Sequence, residues 1–424
     1  MSSDTYRLSA DLSADREPLI KPTPSSPRVL VIGAGVTGLV TAWMLLDCGY
    51  RVTIISKEWA TYGTEQRLTS QISGALWELP PTQCGGVHAV DQAMDAGDLS
   101  TVQQWAIESF QVYRAMALRP DLARGFGVSM PICTLFHAYK VAGDEATLRK
   151  MGMARRNSPD GFDWGTHLFE KRGANCDAHR GLKDAYEHLA PVVDTDVAMG
   201  FLMKLVQDKG ADFHTEAIKG ILLGQENCLL QYYSADAIVD ATGLGAREVA
   251  KDDETYPLRG AVLRVINDGS SFPKVTTSLI VTAETNEDGT YEDIAFIVPR
   301  NDNILVLGSI EQPHENDLDL TPESPAIKEM RRRCEDLLPC LKNAKLDPEY
   351  PIAQGLRPYR NSRIRLEREN GGTREGKESR IVHCYGHGGA GWSLAFGTSR
   401  ACVEIVEEIF GAIVPSTMLH YYTE

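Results

Sequence analysis

Val29-Leu-Val-Ile32 runs straight into Gly33-Ala-Gly-Val-Thr-Gly38, and the stretch Leu39 to Cys48 that follows is apolar and closed by Gly49. Read outward from the glycines, this is a buried strand, a tight turn and a helix with a glycine just past its end. Arg51-Val-Thr-Ile-Ile-Ser56 supplies the next strand. Gly33 permits the tight turn, Gly35 lets the backbone approach a pyrophosphate, and Gly38 allows the helix to pack closely on the strand. Ala34, Val36 and Thr37 complete a loop whose amides, at a helix N-terminus, favour an anion. Glu58 is placed to accept ribose hydroxyls, and Lys57 beside it leaves that position ambiguous by one residue. The unit predicts an α/β dinucleotide-binding domain. It does not say which dinucleotide, so an NAD(P)-linked dehydrogenase stays open on these residues alone.

The rest of the chain narrows the class. Its 424 residues suggest two or three domains, and 43 basic against 58 acidic side chains give a net charge of −15. That balance excludes general binding along a nucleic-acid backbone and disfavours anionic lipid. Nine cysteines, an odd number without a C-x-x-C pair, argue against a disulfide framework and a structural zinc site, so no metal is expected. No run approaches the ~18 apolar residues of a membrane span. The N-terminus is polar and proline-bearing, unlike a secretory signal, and the chain ends His420-Tyr-Tyr-Thr-Glu424, which is not Ser-Lys-Leu. The expectation is a cytoplasmic globular protein.

Residues 1–27, with Pro18, Pro22, Pro24 and Pro27, read as a flexible arm. From Pro81 to about Ala190 the pattern is mainly helical and irregular, with a helix over Leu99 to Ala117. Asp196 to Lys209 reads as another helix, with Asp194 and Asp196 as capping carboxylates, and a strand is expected near Asp212–Thr215. Leu258–Ile310 is strand-rich, and Glu323–Leu341 reads as one helix.

Three further segments carry chemistry. Ala237-Ile-Val-Asp-Ala-Thr-Gly243 is a strand ending in a turn at Thr242 and Gly243, which brings backbone amides to a sheet edge. Val382-His-Cys-Tyr-Gly-His-Gly-Gly-Ala-Gly-Trp-Ser393 crowds Gly388, Gly389, Ala390, Gly391, Trp392 and Ser393 at the start of the last helix, a backbone suited to a flat ligand. Gly355-Leu-Arg-Pro-Tyr-Arg-Asn-Ser-Arg-Ile-Arg-Leu-Glu367 is the third. Together with the opening motif these segments resemble the D-amino acid oxidase and D-aspartate oxidase family, in order from about Arg28 to Thr398. Thr69-Ser-Gln-Ile-Ser-Gly-Ala-Leu-Trp77, with Thr69, Ser70 and Gly74, Leu258-Arg-Gly260 and Ala295-Phe-Ile-Val-Pro299 also find counterparts. The middle, about 81 to 185, is only loosely similar.

The resemblance implies a Rossmann-like FAD-binding domain (28–80, 190–255 and 350–424) interleaved with an α+β substrate domain (81–189 and 256–349) on a mainly antiparallel sheet. It implies non-covalent FAD, an amino acid or amine substrate, and dioxygen. Hydride would leave the α-carbon for the flavin, and the products would be an imino acid, then a 2-oxo acid and ammonia, with hydrogen peroxide. Arg357 stands at the family's substrate-carboxylate position, where a guanidinium fork matches a carboxylate. Gly389 stands where a backbone carbonyl takes the substrate amine. One departure matters: Phe296 occupies the place of a tyrosine that helps hold the carboxylate, and phenylalanine donates no hydrogen bond. Tyr291 and Tyr385 are the candidates to replace it. That change keeps two alternatives open, an atypical or modified substrate and a catalytically silent flavin protein. Arg360, Arg363 and Arg365 read as structural, His383 and His387 as loop-packing residues, and covalent flavin attachment at Cys384 is disfavoured.

Overall fold

The computed structural model describes residues 6–61, 67–78, 98–179, 181–281, 294–371 and 378–411. Its main elements, in chain order, are β1 (Arg28–Ile32), α1 (Val36–Asp47), β2 (Arg51–Ser56), α2 (Thr69–Ile72), α3 (Asp98–Ala117), β3 (Ile132–His137), β4 (Asp184–Leu189) and α4 (Thr195–Asp208). They continue with β5 (Asp212–Thr215), α5 (Leu222–Tyr232), β6 (Ala237–Asp240), β7 (Thr255–Ile266), β8 (Ser278–Val281), β9 (Ala295–Pro299) and β10 (Ile304–Gly308). The chain closes with α6 (Pro325–Leu337), β11 (Ile352–Arg360), β12 (Arg365–Arg368), β13 (Ile381–Tyr385) and α7 (Gly391–Ile409).

The six-stranded sheet has the order β12-β13-β6-β1-β2-β5, parallel except at its β12 edge. β1 is flanked on one side by β2 and on the other by β6, so the strand order reverses at β1, and the crevice beyond the carboxyl ends of such strands is where ligands bind. β1 can sit centrally because Val29, Leu30 and Val31 are all fully buried, leaving no polar face for solvent. The second sheet has nine strands and is mainly antiparallel; it includes β7-β10-β9-β8-β3-β4, and β11 pairs with β7. Only the β8–β3 junction is parallel among the pairings of this sheet that the described residues make. The fold is thus α/β, a Rossmann-like unit joined to an α+β unit.

Five features differ from the sequence reading. Residues 6–27 are a docked strap, not an arm. Leu12 and Ser13 have no exposed surface, the Ser13 amide donates to Asp47 Oδ2 at 2.9 Å, and Trp43 Nε1 donates to the Ser13 carbonyl at 2.8 Å. Lys209 Nζ reaches the same buried Asp47 at 2.6 Å. A carboxylate at the end of α1, shut away from water, needs such donors, and the strap delivers two, the Ser13 amide and the Leu19 amide at 3.1 Å. β3 and β4 lie inside the stretch expected to be mainly helical. Both are buried on nearly every residue, so neither shows the alternation by which a half-exposed strand is read.

α3, grouped by sequence with the substrate segments, lies against α7. Ser109 Oγ accepts from the Phe396 and Gly397 amides, each at 3.1 Å, and Tyr113 donates to the Trp392 carbonyl at 2.8 Å. β11, grouped with the dinucleotide segments, is a strand of the large sheet. A smaller change concerns Glu323–Leu341: α6 ends at Leu337, and Pro339 starts a separate short 3-10 turn.

Candidate functional site: a cavity between the two sheets

The carboxyl ends of β1, β2, β6 and β13 open onto one cavity of about 800 Å³, whose far wall is formed by residues of the large sheet. That volume lies within the ~300–1,000 Å³ of small-molecule and cofactor sites. Gly33, with φ of +114°, makes the turn out of β1; a Cβ there would lie 2.3 Å from the Ala241 carbonyl oxygen. Ala34, Gly35, Val36 and Thr37 face the cavity, whereas Gly38 does not: its position is filled by the Gly33 carbonyl, 2.0 Å from where a Cβ would sit. Gly38, grouped by sequence with the cofactor-binding residues, therefore packs against the turn out of β1 and does not line the cavity.

Two helices begin at this cavity without a side-chain cap of their own, α1 after Gly35 and α7 after Ala390. Ser70 links them. Its hydroxyl accepts from the Val36 amide at 3.0 Å, and its carbonyl accepts from Trp392 Nε1 at 2.8 Å. Thr69 Oγ1 donates to the Leu356 carbonyl at 2.9 Å, tying α2 to β11. Thr242 is held by Asp240, through its amide at 3.1 Å and its hydroxyl at 2.7 Å, and so presents Gly243 to the cavity. Lys57 and Glu58, paired at 3.5 Å, stand exposed at the end of β2 on the same rim. In the late glycine loop Gly386 and Gly388 are buried and Gly389 is exposed toward the cavity that it lines. Glycine turns, two helix N-termini whose own N-cap residues offer no side chain, and an acidic residue past the end of β2 suit an elongated dinucleotide with a central diphosphate.

Across the cavity stands Arg357 on β11. Its guanidinium lies over Gly260 of β7, where a Cβ would be 2.4 Å from Cζ, so any side chain at that position would displace it. Nη1 donates to the Ile310 carbonyl at 3.1 Å, and Nη2 donates to Ser309 Oγ at 2.9 Å. Enclosure pulls the guanidinium below its ordinary pKa and the nearby Glu311 carboxylate opposes that shift. The same enclosure pushes Glu311 up, against the pull of Arg357. An arginine stays charged through such a shift.

Phe296 lines the cavity beside it, with the tip of its ring against Gly74: a Cβ on Gly74 would be 2.5 Å from Phe296 Cζ. The Cε1–Cζ edge of the ring thus occupies the space that a side chain at Gly74 would need. Tyr385 does not replace the missing phenol. Its hydroxyl donates to Asp252 Oδ2 at 2.8 Å and accepts from Arg365 Nη1 at 2.9 Å, which commits it to a buried ionic cluster. Tyr291 lies outside the described residues.

The remaining polar residues behave as structure. His383 bridges Asp240 at 2.9 Å and Glu369 at 3.0 Å, and His387 bonds Thr398 at 3.1 Å. Arg360 pairs with Asp252 and Arg365 with Glu367, each at 2.8 Å. Asp194 caps α4 through the Asp196 amide. Sequence reasoning missed Ser309, which faces the cavity from the end of β10, because a lone serine after a strand carries no local signal. Among the described residues no cluster of potential metal ligands occurs, and no helix is long and apolar enough to cross a membrane.

Comparison with known proteins agrees with this architecture. The family model described as FAD dependent oxidoreductase matches residues 28–405. The D-amino-acid oxidase of Rubrobacter xylanophilus is 26% identical over 388 residues, 91% of this chain and 96% of its own. Glycine oxidase from Bacillus cereus ATCC 14579 superposes with a TM-score of 0.62 at 20% identity, covering 92% of this chain and 98% of that one. Iminodiacetate oxidase from Chelativorans sp. BNC1 gives 0.63 at 14% identity, over 93% and 98%. Identities this low in the solved structures speak to the fold alone, but the family match spans both sheets and every glycine turn of the cavity, and on it the chain belongs to the DAO family of FAD-dependent oxidoreductases.

Proposed function

We propose that this protein is an oxidase of amino acids, most simply of a D-amino acid, which holds FAD without a covalent bond. Support comes first from one observation: a half-buried guanidinium, Arg357, faces the cavity whose opposite wall is the dinucleotide-type edge. Bound FAD supplies a two-electron acceptor that dioxygen regenerates, with hydrogen peroxide as product. The chain's own work is positioning. Arg357 offers a planar fork to a carboxylate, and Gly260 keeps the space that lets the fork lie flat. Gly389, exposed in the loop before α7, offers its carbonyl to the substrate amine. Phe296 adds an apolar wall that excludes water and turns the substrate without bonding to it. Thr69 and Ser70 fix the late glycine loop and β11 to the turn after β1, so both walls keep one spacing. Holding the α-carbon at a fixed distance and angle is the main catalytic contribution such a site makes.

The relatives named D-amino-acid oxidase favour D-amino acids, and the Phe296 departure favours a substrate with a larger or modified side chain as the close variant. The test is a peroxide assay of the FAD-loaded protein over D-amino acids, L-amino acids, glycine and secondary amino acids of varied charge and size. Peroxide and 2-oxo acid from amino acids, but not from amines lacking a carboxylate, is the expected result. A flavin that no member of the panel reduces anaerobically would contradict it and favour a silent flavin-binding protein.

A further inference from the structure

We infer that Ser309 is the second carboxylate donor of this site and does, from a neighbouring strand, what a phenol at Phe296 would have done. The inference rests on the reading of Arg357 as the carboxylate anchor. Phe296 and Gly308 face each other directly in the β9–β10 pair, so Ser309 is the next residue past the one opposite the departure. Ser309 and Arg357 both line the cavity. The hydroxyl accepts from Arg357 Nη2 at 2.9 Å, which uses a lone pair and leaves its proton to give. That proton is held weakly. It points to the Ile310 carbonyl at 3.3 Å, well beyond the ~2.7–2.8 Å of a good O–H···O bond. The same carbonyl already accepts from Arg357 Nη1 at 3.1 Å. A carboxylate entering the cavity is the stronger acceptor, and the hydroxyl turns to it by rotation about one bond while keeping its bond from Arg357.

The backbone of Ser309 is anchored independently, its carbonyl accepting from Arg333 Nη2 at 3.1 Å, so the hydroxyl is carried on a fixed support. Among the described residues, Ile310 and Ser309 engage two of the five guanidinium N–H groups of Arg357, so the fork is not used up by its own support. Arg357 and Ser309 together then form a clamp for one carboxylate, with the charge on the arginine and the third donor on the serine. The substrate class that this clamp selects is an amine bearing a single free carboxylate at the reacting end.

The test is a titration of the FAD-loaded protein with benzoate, a carboxylate without an amine, followed by the change in flavin absorbance. Ser309→Ala should weaken benzoate by about 10- to 100-fold, the loss of one hydrogen bond to a charged group. Ser309→Thr, which keeps the hydroxyl, should restore it to within about threefold. The flavin spectrum of each variant reports whether the fold and cofactor are kept. A double-mutant cycle separates contact from support: in an Arg357→Lys background, Ser309→Ala should still weaken benzoate severalfold. No further loss there would overturn the direct contact. Unchanged binding by Ser309→Ala, with binding lost by Arg357→Ala, would overturn the role of Ser309 and leave the anchor standing. Binding that responds to neither residue would overturn both.

Discussion

At the edge of the six-stranded sheet the cavity wall is backbone: the turn from Gly33 to Thr37, the Thr242-Gly243 turn and the loop from Gly386 to Gly391, with two helix ends whose own N-cap residues lend no side chain. At the nine-stranded sheet the wall is side chain: Arg357, Phe296 and Ser309, set by strand register and supported by Gly260. The first wall suits a ligand that is always the same, since amides and glycines recognise phosphate and a flat ring without reading substituents. The second reads a ligand through side chains, so a single exchange there changes the donors offered without touching the fold.

The largest expected effect tests whether the strap belongs to the backbone-built half. Lys209→Met leaves the Asp47 carboxylate buried without its cation and should cost about 3–5 kcal/mol of unfolding free energy, read by urea denaturation. A loss under about 1 kcal/mol would show that the strap is not held by this pair. Next, Gly38→Val drives a side chain into the Gly33 carbonyl and should cost about 3 kcal/mol and abolish FAD retention, read from the ratio of flavin to protein absorbance. Full occupancy would break the comparison at its first term.

The halves should also part company in acid. His137, on β3 and stacked on Tyr186, is pushed down from 6.5 to about 4, mainly by burial and then by the charge of Lys150. Its folded pKa lies below its unfolded one, so stability present above pH 6.5 is lost as pH falls toward 4. Between pH 7 and pH 5 this group alone should remove about 2 kcal/mol, and His137→Gln should flatten that part of the pH dependence. Identical pH profiles for parent and variant would refute it. The smallest effect concerns Phe296→Tyr. Because packing at Gly74 fixes the ring and Ser309 already serves the carboxylate, the added hydroxyl should alter carboxylate affinity by less than about threefold, below ~0.7 kcal/mol. A gain of tenfold or more would place the phenol on the substrate and sharpen the second wall differently.

What the sequence disclosed follows the same division. The turn from Gly33 to Gly38, the Ala-Thr-Gly turn and the late loop were readable because their chemistry is local: glycines at fixed spacing between a strand and a helix. Arg357 was reachable through the resemblance that its neighbours carry. Its partners were not, since Ser309 lies 48 residues away in sequence and Gly260 meets the guanidinium only across the β7–β11 pair. The strap was misread for a related reason. Prolines and polar residues look flexible until Asp47 and Lys209, 162 residues apart, close around Ser13. β3 and β4, buried on both faces, offered no period to read.

The measurement that tests the two-wall account most directly is anaerobic reduction of the bound flavin in the parent and in Arg357→Ala. It is followed with an amino acid the parent oxidises and with the matching amine that lacks the carboxylate. The account predicts that both proteins retain FAD, that the parent prefers the amino acid strongly, and that Arg357→Ala loses about 2–5 kcal/mol of that preference. An Arg357→Ala protein that keeps the full preference, with its flavin in place, would contradict it.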